Sequence, residues 1–152
     1  MLYFDTSYLV RLYLDDAGCE LVRELATHSE VASCWHAQAE VLCSLHRGLR
    51  EGRLDAEQYR ALLDQFHSDC ADGAFRWLPL ADPILARLDR IVAAAPAATF
   101  LRATDALHLA CAAENGFTEV YSHDRHFLAA APLFGLRDVN LIPAPSRGRC
   151  EG

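Results

Sequence analysis

The sequence contains no lysine: all fourteen of its basic residues are arginine, against 21 aspartate and glutamate residues, for a formal net charge of −7. Proteins that bind nucleic acid usually gain affinity from a basic face, so this balance counts against a general nucleic-acid binder. Arginine does form bidentate contacts with phosphate. The lack of lysine is nevertheless better explained by the base composition of a genome than by function.

Long apolar runs are also missing. No stretch approaches the roughly 20 apolar residues that span a bilayer, and the segment from Met1 to Val10 has no basic lead and is interrupted by Asp5. A membrane span and a secretory signal are therefore not expected, and we predict a cytoplasmic protein with no membrane partner. The 152 residues, of which 52% are hydrophobic and 23% charged, fit one globular domain.

C-x-x-C pairs are absent as well, although the chain has six cysteines. Several lie among apolar residues of predicted helices, which is typical of reduced, buried thiols. A zinc site of Cys34, His36, Cys43 and His46 can be drawn, but its spacing matches no standard pattern and we do not predict it. The sequence also lacks a glycine-rich phosphate loop and a Ser–His–Asp arrangement.

Short apolar strands alternate with amphipathic helices along the chain, a pattern that favours a parallel α/β sheet. Strands are predicted at residues 2–4, 31–33, 75–80 and 120–122, with an edge strand at 139–142. Helices are predicted at residues 7–14, 18–27, 35–50 and 100–114, with others beginning near 55, 82 and 124. We predict one domain at residues 1–142 and a mobile tail at 143–152, which is rich in Pro, Gly, Ser and Arg.

Two aspartates are assigned to helix capping rather than to function. Asp55 and Gln58 have the spacing of a capping box. Asp82 directly precedes Pro83, as an N-cap precedes a proline at the first helical position. Both aspartates are therefore predicted to be structural.

Asp105 interrupts an apolar stripe. Its neighbours at i−4 and i+4 on the predicted helix are Leu101 and Leu109, which lie on the same side as the carboxyl group. An isolated buried carboxylate is very costly, so it must be protonated, paired or metal-bound. Taken alone, Asp105 is explained equally well by an ion pair, for example with Arg102, and by a metal.

Three further acids have similar alternatives. Asp5 and Asp124 follow predicted strands, and ligands of open parallel sheets bind beyond the carboxyl ends of the strands. Helix capping is the alternative for both, and for Asp124 taken singly it is the better one. Glu40 lies away from the centre of the apolar side of its predicted helix, so solvent exposure explains it as well.

Taken together, the four acids predict a metal site. Hard cations such as Mg²⁺ prefer oxygen ligands, and a carboxylate cluster that holds one or two of them beside a phosphodiester activates water and neutralises developing charge. The four acids also account for four of the seven net negative charges. His108 and His123 lie near the acids in sequence and are interpreted as supporting or structural residues.

At these residues the sequence resembles the PIN-domain family, and in particular the VapC-type toxin ribonucleases of bacterial toxin–antitoxin modules. Four segments in the family's order carry the resemblance, and they extend over nearly the whole chain up to about residue 142. They are Leu-Tyr-Phe-Asp-Thr-Ser-Tyr-Leu-Val-Arg-Leu-Tyr at 2–13, Ala-Glu-Val at 39–41, Ala-Thr-Asp-Ala-Leu-His-Leu-Ala at 103–110 and Ser-His-Asp-Arg-His-Phe at 122–127. The departures are Ser122, where the family often has threonine, and the acidic, lysine-free surface.

The resemblance implies a PIN-like three-layer α/β/α fold and an endoribonuclease that depends on Mg²⁺ or Mn²⁺. It implies that the metal-binding acids are Asp5, Glu40, Asp105 and Asp124. Thr6, Ser7 and Ser122 match small hydroxyl residues that support such a site, and Arg11 matches a basic position expected to contact phosphate or carboxylate. The implied partners are an RNA substrate such as tRNA or mRNA, a cognate antitoxin and a second copy of the chain in a homodimer.

Two other functions compete with the ribonuclease. A catalytically silent PIN-fold module would bind RNA or protein without cleaving, but it has no need to keep an acid at Asp105 in an apolar stripe. A phosphatase with an aspartate nucleophile after the first strand usually carries a second acid two residues on, where this chain has Ser7. We therefore predict a ribonuclease that acts as the toxin of a toxin–antitoxin pair.

Overall fold

Five parallel strands form the middle layer of the described part of the chain. The structure, a computed structural model, describes residues 1–143. Its strands are β1 (Leu2–Tyr3), β2 (Val31–Cys34), β3 (Phe75–Leu78), β4 (Glu119–Tyr121) and β5 (Arg137–Val139). β2 pairs with β1 and β3, and β4 pairs with β5. A parallel bridge between Phe4 and Tyr121 joins the two groups, so the spatial order is β3–β2–β1–β4–β5.

Helices cover both faces of this sheet. They are α1 (Thr6–Leu9), α2 (Cys19–His28), α3 (Ala37–Arg50), α4 (Ala56–Ala71), α5 (Asp82–Ala94), α6 (Ala103–Glu114) and α7 (Arg125–Ala130), with 3₁₀ turns at Val10–Leu12 and Ala131–Phe134. Tyr3 and Phe4 are both fully buried, and because successive side chains of a strand point to opposite faces they enter different cores. Tyr3 packs with residues of α5, α6 and α7, and Phe4 packs with residues of α1 to α4. The predicted three-layer α/β/α architecture is confirmed.

The order of the strands reverses at β1, because the chain extends the sheet to β2 and β3 on one side and to β4 and β5 on the other. The hydrogen bonds from the Phe4 amide to the Ala32 carbonyl and from the Asp5 amide to the Tyr121 carbonyl extend the pairing to the end of β1. In open parallel sheets, ligands bind beyond the carboxyl ends of the strands at such a switch point. The topology therefore places Asp5 at the position where a site is expected.

Several predicted boundaries were wrong. The helix expected over 100–114 begins at Ala103, because Arg102 has an extended backbone (φ −83°, ψ 151°). Leu101 therefore precedes the helix, and Asp105 lies in its first turn rather than within a helical stripe. The edge strand expected at 139–142 is Arg137–Val139, and Asn140 beyond it turns to accept a hydrogen bond from the Ile142 amide (3.0 Å).

One capping assignment is confirmed and one is wrong. Asp55 and Gln58 form a capping box at the start of α4. At α5 the N-cap is Ala81 and makes no side-chain hydrogen bond, so Asp82 is the first residue of the helix and Pro83 follows it. The predicted mobile tail at 143–152 lies, apart from Pro143, outside the described residues.

None of the described helices has both the length and the apolar character needed to cross a membrane. Within residues 1–143 the five cysteines are free thiols, and three of them, Cys19, Cys34 and Cys111, are buried. These thiols agree with the prediction that buried, reduced cysteines contribute to the apolar cores.

Candidate active site

Asp5 lies directly beyond β1 with a side chain that is only 5% exposed. Two hydroxyl groups hold its carboxylate: Ser7 donates to Oδ1 (2.7 Å) and Ser122 donates to Oδ2 (2.6 Å). The Tyr8 amide also donates to Oδ1 (3.1 Å), so Asp5 caps α1 as well. Burial raises the pKa of Asp5, and the two serine hydroxyls oppose that rise.

The same serines connect the ends of β1 and β4. Ser7 accepts a hydrogen bond from the His123 amide (2.8 Å), and Ser122 accepts one from the Asp124 amide (2.9 Å). These bonds fix the loop that follows β4 against the start of α1. The family-derived expectation that Ser7 and Ser122 support the acids thus agrees with their positions.

Asp124 caps a helix with one carboxylate oxygen and pairs with an arginine through the other. Its Oδ1 accepts hydrogen bonds from the amides of His126 (2.8 Å) and Phe127 (3.3 Å), which caps α7. Its Oδ2 forms an ion pair with Arg102. Burial alone would raise the pKa of Asp124, but Arg102 and the two amides outweigh it and the pKa is lowered.

Asp105 is 9% exposed and is paired with Arg102, whose Nε lies 2.7 Å from its Oδ2. The ion-pair alternative is therefore present in the structure. The Arg102 side chain is 46% exposed and contacts both Asp105 and Asp124, which raises the pKa of the guanidinium. The sequence suggested the first of these contacts but not the second, which joins two residues from separate elements.

Glu40 projects from the first part of α3 toward the same place. Its Oε2 accepts a hydrogen bond from the Thr6 hydroxyl (2.5 Å) and lies 3.0 Å from Nε2 of His108. Burial alone would raise the pKa of Glu40, but these contacts with His108 and Thr6 outweigh it and lower the pKa to about 2. The side chain is 29% exposed, so the alternative that Glu40 simply faces solvent was wrong.

His108 lies behind Glu40 and is almost completely buried. Its Nδ1 is 2.9 Å from the hydroxyl of Tyr3, a core residue of β1. The ring is therefore held from one side by the core and faces the acids on the other, a position that agrees with its interpretation as a supporting residue. The His123 side chain contacts Asn140 (3.4 Å) and does not line the pocket that holds the acids.

All four predicted acids line one open pocket, and four separate elements position them. Its lining residues are Asp5, Thr6, Ser7, Glu40, Arg102, Thr104, Asp105, His108 and Asp124. Four carboxyl groups and one guanidinium leave an excess of negative charge there. Carboxylate oxygens in excess over cations are the donor set of a hard divalent cation, so these residues fit Mg²⁺ or Mn²⁺.

The carboxylate contact expected for Arg11 is not found in the described part of the chain. Its side chain is buried and donates to two backbone carbonyls, those of Ala17 (2.9 Å) and Ser7 (2.5 Å). It makes no ion pair with a carboxylate among the described residues. Arg11 therefore joins α1 to the loop before α2 instead of contacting the acids.

Two residues, Thr104 and His36, were not assigned to this site from the sequence. Thr104 lines the pocket from the first turn of α6. His36 lies beside Glu40, with its Nε2 3.6 Å from Oε2. The i, i+4 spacing of His36 and Glu40 is the sequence signal for their contact. In the sequence, however, His36 was considered only as part of a cysteine–histidine zinc pattern.

Comparison with known proteins gives a family and a fold. The family model described as "PIN domain" matches residues 2–132. No curated protein matches the chain in sequence. Among solved structures, FitAcB from Neisseria gonorrhoeae matches with a TM-score of 0.73 and 17% identity, over 92% of this chain and 97% of that chain.

Two other solved structures are similar. VapBC2 from Rickettsia felis, bound to a DNA fragment from its promoter, matches with a TM-score of 0.65 and 14% identity, over 92% of this chain and 98% of that chain. VapC20 from Mycobacterium tuberculosis, a toxin that cleaves the sarcin–ricin loop, matches with a TM-score of 0.65 and 17% identity, over 86% of this chain and 95% of that chain. At these identities the likeness concerns the fold.

Proposed function

This chain belongs to the PIN-domain family, and from that premise we propose that it is a Mg²⁺- or Mn²⁺-dependent endoribonuclease that acts as the toxin of a toxin–antitoxin pair. One observation carries the proposal. Asp5, Glu40, Asp105 and Asp124 come from distant parts of the sequence and meet in one pocket at the switch point of the sheet.

The structural neighbours support the choice of substrate and partners. VapC20 is a toxin that cleaves an RNA loop, and the pocket of this chain has the donor set for the same class of reaction. For this chain we therefore propose an RNA substrate, a cognate antitoxin protein that covers the pocket, and assembly as a homodimer. Acting on tRNA, ribosomal RNA or mRNA, such an enzyme would work in the cytoplasm.

The residues of the site would have the following roles. Asp5, Glu40, Asp105 and Asp124 would hold the ion, which would neutralise charge on the scissile phosphate and lower the pKa of water. Ser7 and Ser122 orient both oxygens of Asp5, while Thr6 and His108 orient Glu40. Arg102 carries the positive charge that faces an entering phosphate.

One observation favours the silent binding module as a second candidate. Arg102 is paired with both Asp105 and Asp124, so half of the acids already have a partner without a cation. In that case the four acids would form a structural ion-pair network, and RNA would bind in the presence of a chelator without being cleaved.

The direct test is cleavage of RNA by purified protein with Mg²⁺ or Mn²⁺. We compare the wild type with Asp5→Asn, which keeps the shape of the side chain, and with the control Asp64→Asn, an exposed acid on α4. We expect cleavage by the wild type and the control, and loss of cleavage in Asp5→Asn and in a chelator. Equal cleavage by all three proteins would contradict the assignment of the site, and RNA binding without cleavage under any metal would favour the silent module.

A further inference from the structure

Glu40 also belongs to a second cluster of ligand atoms, formed with two histidines. His36, Glu40 and His108 each present one atom, and these atoms all lie within 4.8 Å of one another. Nε2 of His36 is 3.6 Å from Oε2 of Glu40, and Nε2 of His108 is 3.0 Å from the same oxygen. The two imidazole rings have their centres 4.3 Å apart. Two of these residues, His36 and His108, lie outside the four-acid set.

These distances are close to those of a metal coordination shell. Zinc binds histidine nitrogen and carboxylate oxygen at roughly 2.0–2.2 Å in tetrahedral geometry, which places neighbouring ligand atoms about 3.3 Å apart. The separations of 3.6 Å and 3.0 Å lie on either side of that value. All three atoms lie within 4.8 Å of one another, so side-chain adjustment would bring them around one ion.

His36 gives an independent reason to expect a ligand here. Both of its ring nitrogens are buried from solvent, and neither makes a hydrogen bond of ordinary geometry among residues 1–143, although the Cys34 thiol and the Thr104 backbone lie beside the ring. A buried polar atom without a partner carries a free-energy cost, so such atoms usually have a ligand, ion or water nearby. A proton shared between His108 and Glu40 would satisfy those two residues and would leave His36 unpartnered.

His108 has the surroundings of a metal-binding histidine. Histidines that bind metal through one ring nitrogen nearly always use the other for a hydrogen bond that fixes the ring. Nδ1 of His108 makes such a contact with the Tyr3 hydroxyl (2.9 Å), which leaves Nε2 directed at Glu40. Tyr3 is fully buried in the core, so this contact fixes the ring.

We propose that His36, Glu40 and His108 form a binding site for a transition metal of the Zn²⁺ class, separate from the four-acid cluster but sharing Glu40 with it. Two imidazole nitrogens and one carboxylate oxygen suit zinc and its neighbours, whereas Mg²⁺ takes oxygen ligands. Three protein ligands leave a fourth position for water. The proposal does not depend on the ribonuclease activity.

The shared carboxylate couples the two sites. A transition metal on Oε2 of Glu40 draws negative charge from the four-acid cluster, and so weakens the binding of Mg²⁺ or Mn²⁺ there. The coupling is reciprocal, because each ion changes the affinity for the other by the same factor. Zinc is therefore expected to act as an inhibitor of whatever reaction the four acids perform.

The test uses Co²⁺ as a spectroscopic probe, added to metal-free protein without Mg²⁺, because Mg²⁺ on the four acids would compete for the shared Glu40. We expect one equivalent to bind with the visible absorption of a four- or five-coordinate, nitrogen-ligated ion. His36→Gln should lose this absorption, whereas His46→Gln, which changes an exposed histidine on α3, should keep it. Asp105→Asn should also keep it, which separates this site from the four-acid cluster and its proposed function.

The same absorption in His36→Gln and the wild type would overturn the proposal, and so would its absence from the wild type. X-ray absorption spectroscopy of the wild-type zinc complex provides a check that needs no variant. We expect two imidazole ligands in the zinc shell at roughly 2.0–2.1 Å. A zinc shell without imidazole would contradict the site even if a variant failed to fold.

Discussion

At the scale of single residues, the acids of this pocket differ in the direction in which the protein shifts their pKa values. Asp5 is buried and its pKa is raised, whereas Glu40 is held by His108 and Thr6 and its pKa is lowered. The sequence identified both residues but gave no means of ranking their pKa values, because the partners are distant. His108 is 68 residues from Glu40 along the chain, and Ser122 is 117 residues from Asp5.

Glu40 should stabilise the folded protein in a pH-dependent way. Its pKa falls on folding from the ordinary 4.5 to about 2, so its charge stabilises the fold by roughly 3 kcal/mol above pH 4.5. The stabilisation is lost as the pH falls from 4.5 toward 2. We expect Glu40→Gln to lower the free energy of unfolding at pH 7 and to have a much smaller effect near pH 3.

The measurement is chemical denaturation of the metal-free wild type and Glu40→Gln at several pH values. Glu57→Gln, an exposed glutamate in the first turn of α4, is the control and should show little pH-dependent difference. A Glu40→Gln difference that stays constant from pH 7 to pH 3 would contradict the lowered pKa.

At the scale of elements, the start of α6 departs most from the sequence-based expectation. Apolar residues before Ala103 suggested a longer helix, but the extended backbone at Arg102 starts it later. Residue spacing predicts the contact of Arg102 with Asp105, since the two are three residues apart. It does not predict the contact with Asp124, because that contact depends on where α7 packs against α6.

Arg102 should compete with a divalent cation for Asp105 and Asp124. The guanidinium is about half exposed, so its ion pairs contribute only about 1 kcal/mol. We expect Arg102→Gln to bind Mn²⁺ roughly fivefold more tightly than the wild type, since 1.4 kcal/mol corresponds to a factor of ten. Calorimetric titration measures the change.

The matched control for that titration is Arg87→Gln, which breaks an ion pair with Glu114 away from the pocket. It should leave Mn²⁺ affinity unchanged. Weaker Mn²⁺ binding in Arg102→Gln than in the wild type would instead mean that Arg102 holds the acids in position for the ion.

The segment after β5 is held against the loop that precedes α2. Gly18 has a positive φ of 82°, and a Cβ placed there would lie 2.7 Å from Cγ2 of Ile142. Both the left-handed backbone and this contact oppose a larger residue, so we expect Gly18→Ala to destabilise the protein by about 2–4 kcal/mol. The neighbouring Leu141 amide donates to the Tyr8 hydroxyl (2.8 Å), which links this segment to α1 beside Asp5.

Thermal or chemical denaturation measures the effect, and Gly73→Ala separates its two causes. Gly73 has a φ of 75°, and a Cβ added there would meet nothing within 4 Å, so its substitution adds backbone strain alone. We expect a smaller loss of stability there. Equal losses in the two variants would show that the contact with Ile142 contributes nothing.

At the scale of the whole molecule, the alternation of strands and helices predicted a parallel α/β sheet, and the resemblance to the PIN-domain family predicted the three layers. The resemblance also predicted which carboxylates meet, whereas residue pattern alone left helix capping open for Asp124 and solvent exposure open for Glu40. It did not predict the pairing of Arg102 with Asp124 or the position of His36, since these depend on how the helices pack against the sheet and one another. A net charge of −7 is partly explained by acids gathered in one pocket.

The central claim is that these acids form a metal site, and calorimetric titration of Mn²⁺ tests it most directly. We compare the wild type with Asp105→Asn, which keeps the shape and removes the charge, and with Asp64→Asn as the control. Stoichiometric binding by the wild type and the control, and its loss in Asp105→Asn, is the predicted result. Equal binding by wild type and Asp105→Asn, or no binding by the wild type even with a non-cleavable RNA, would contradict the claim.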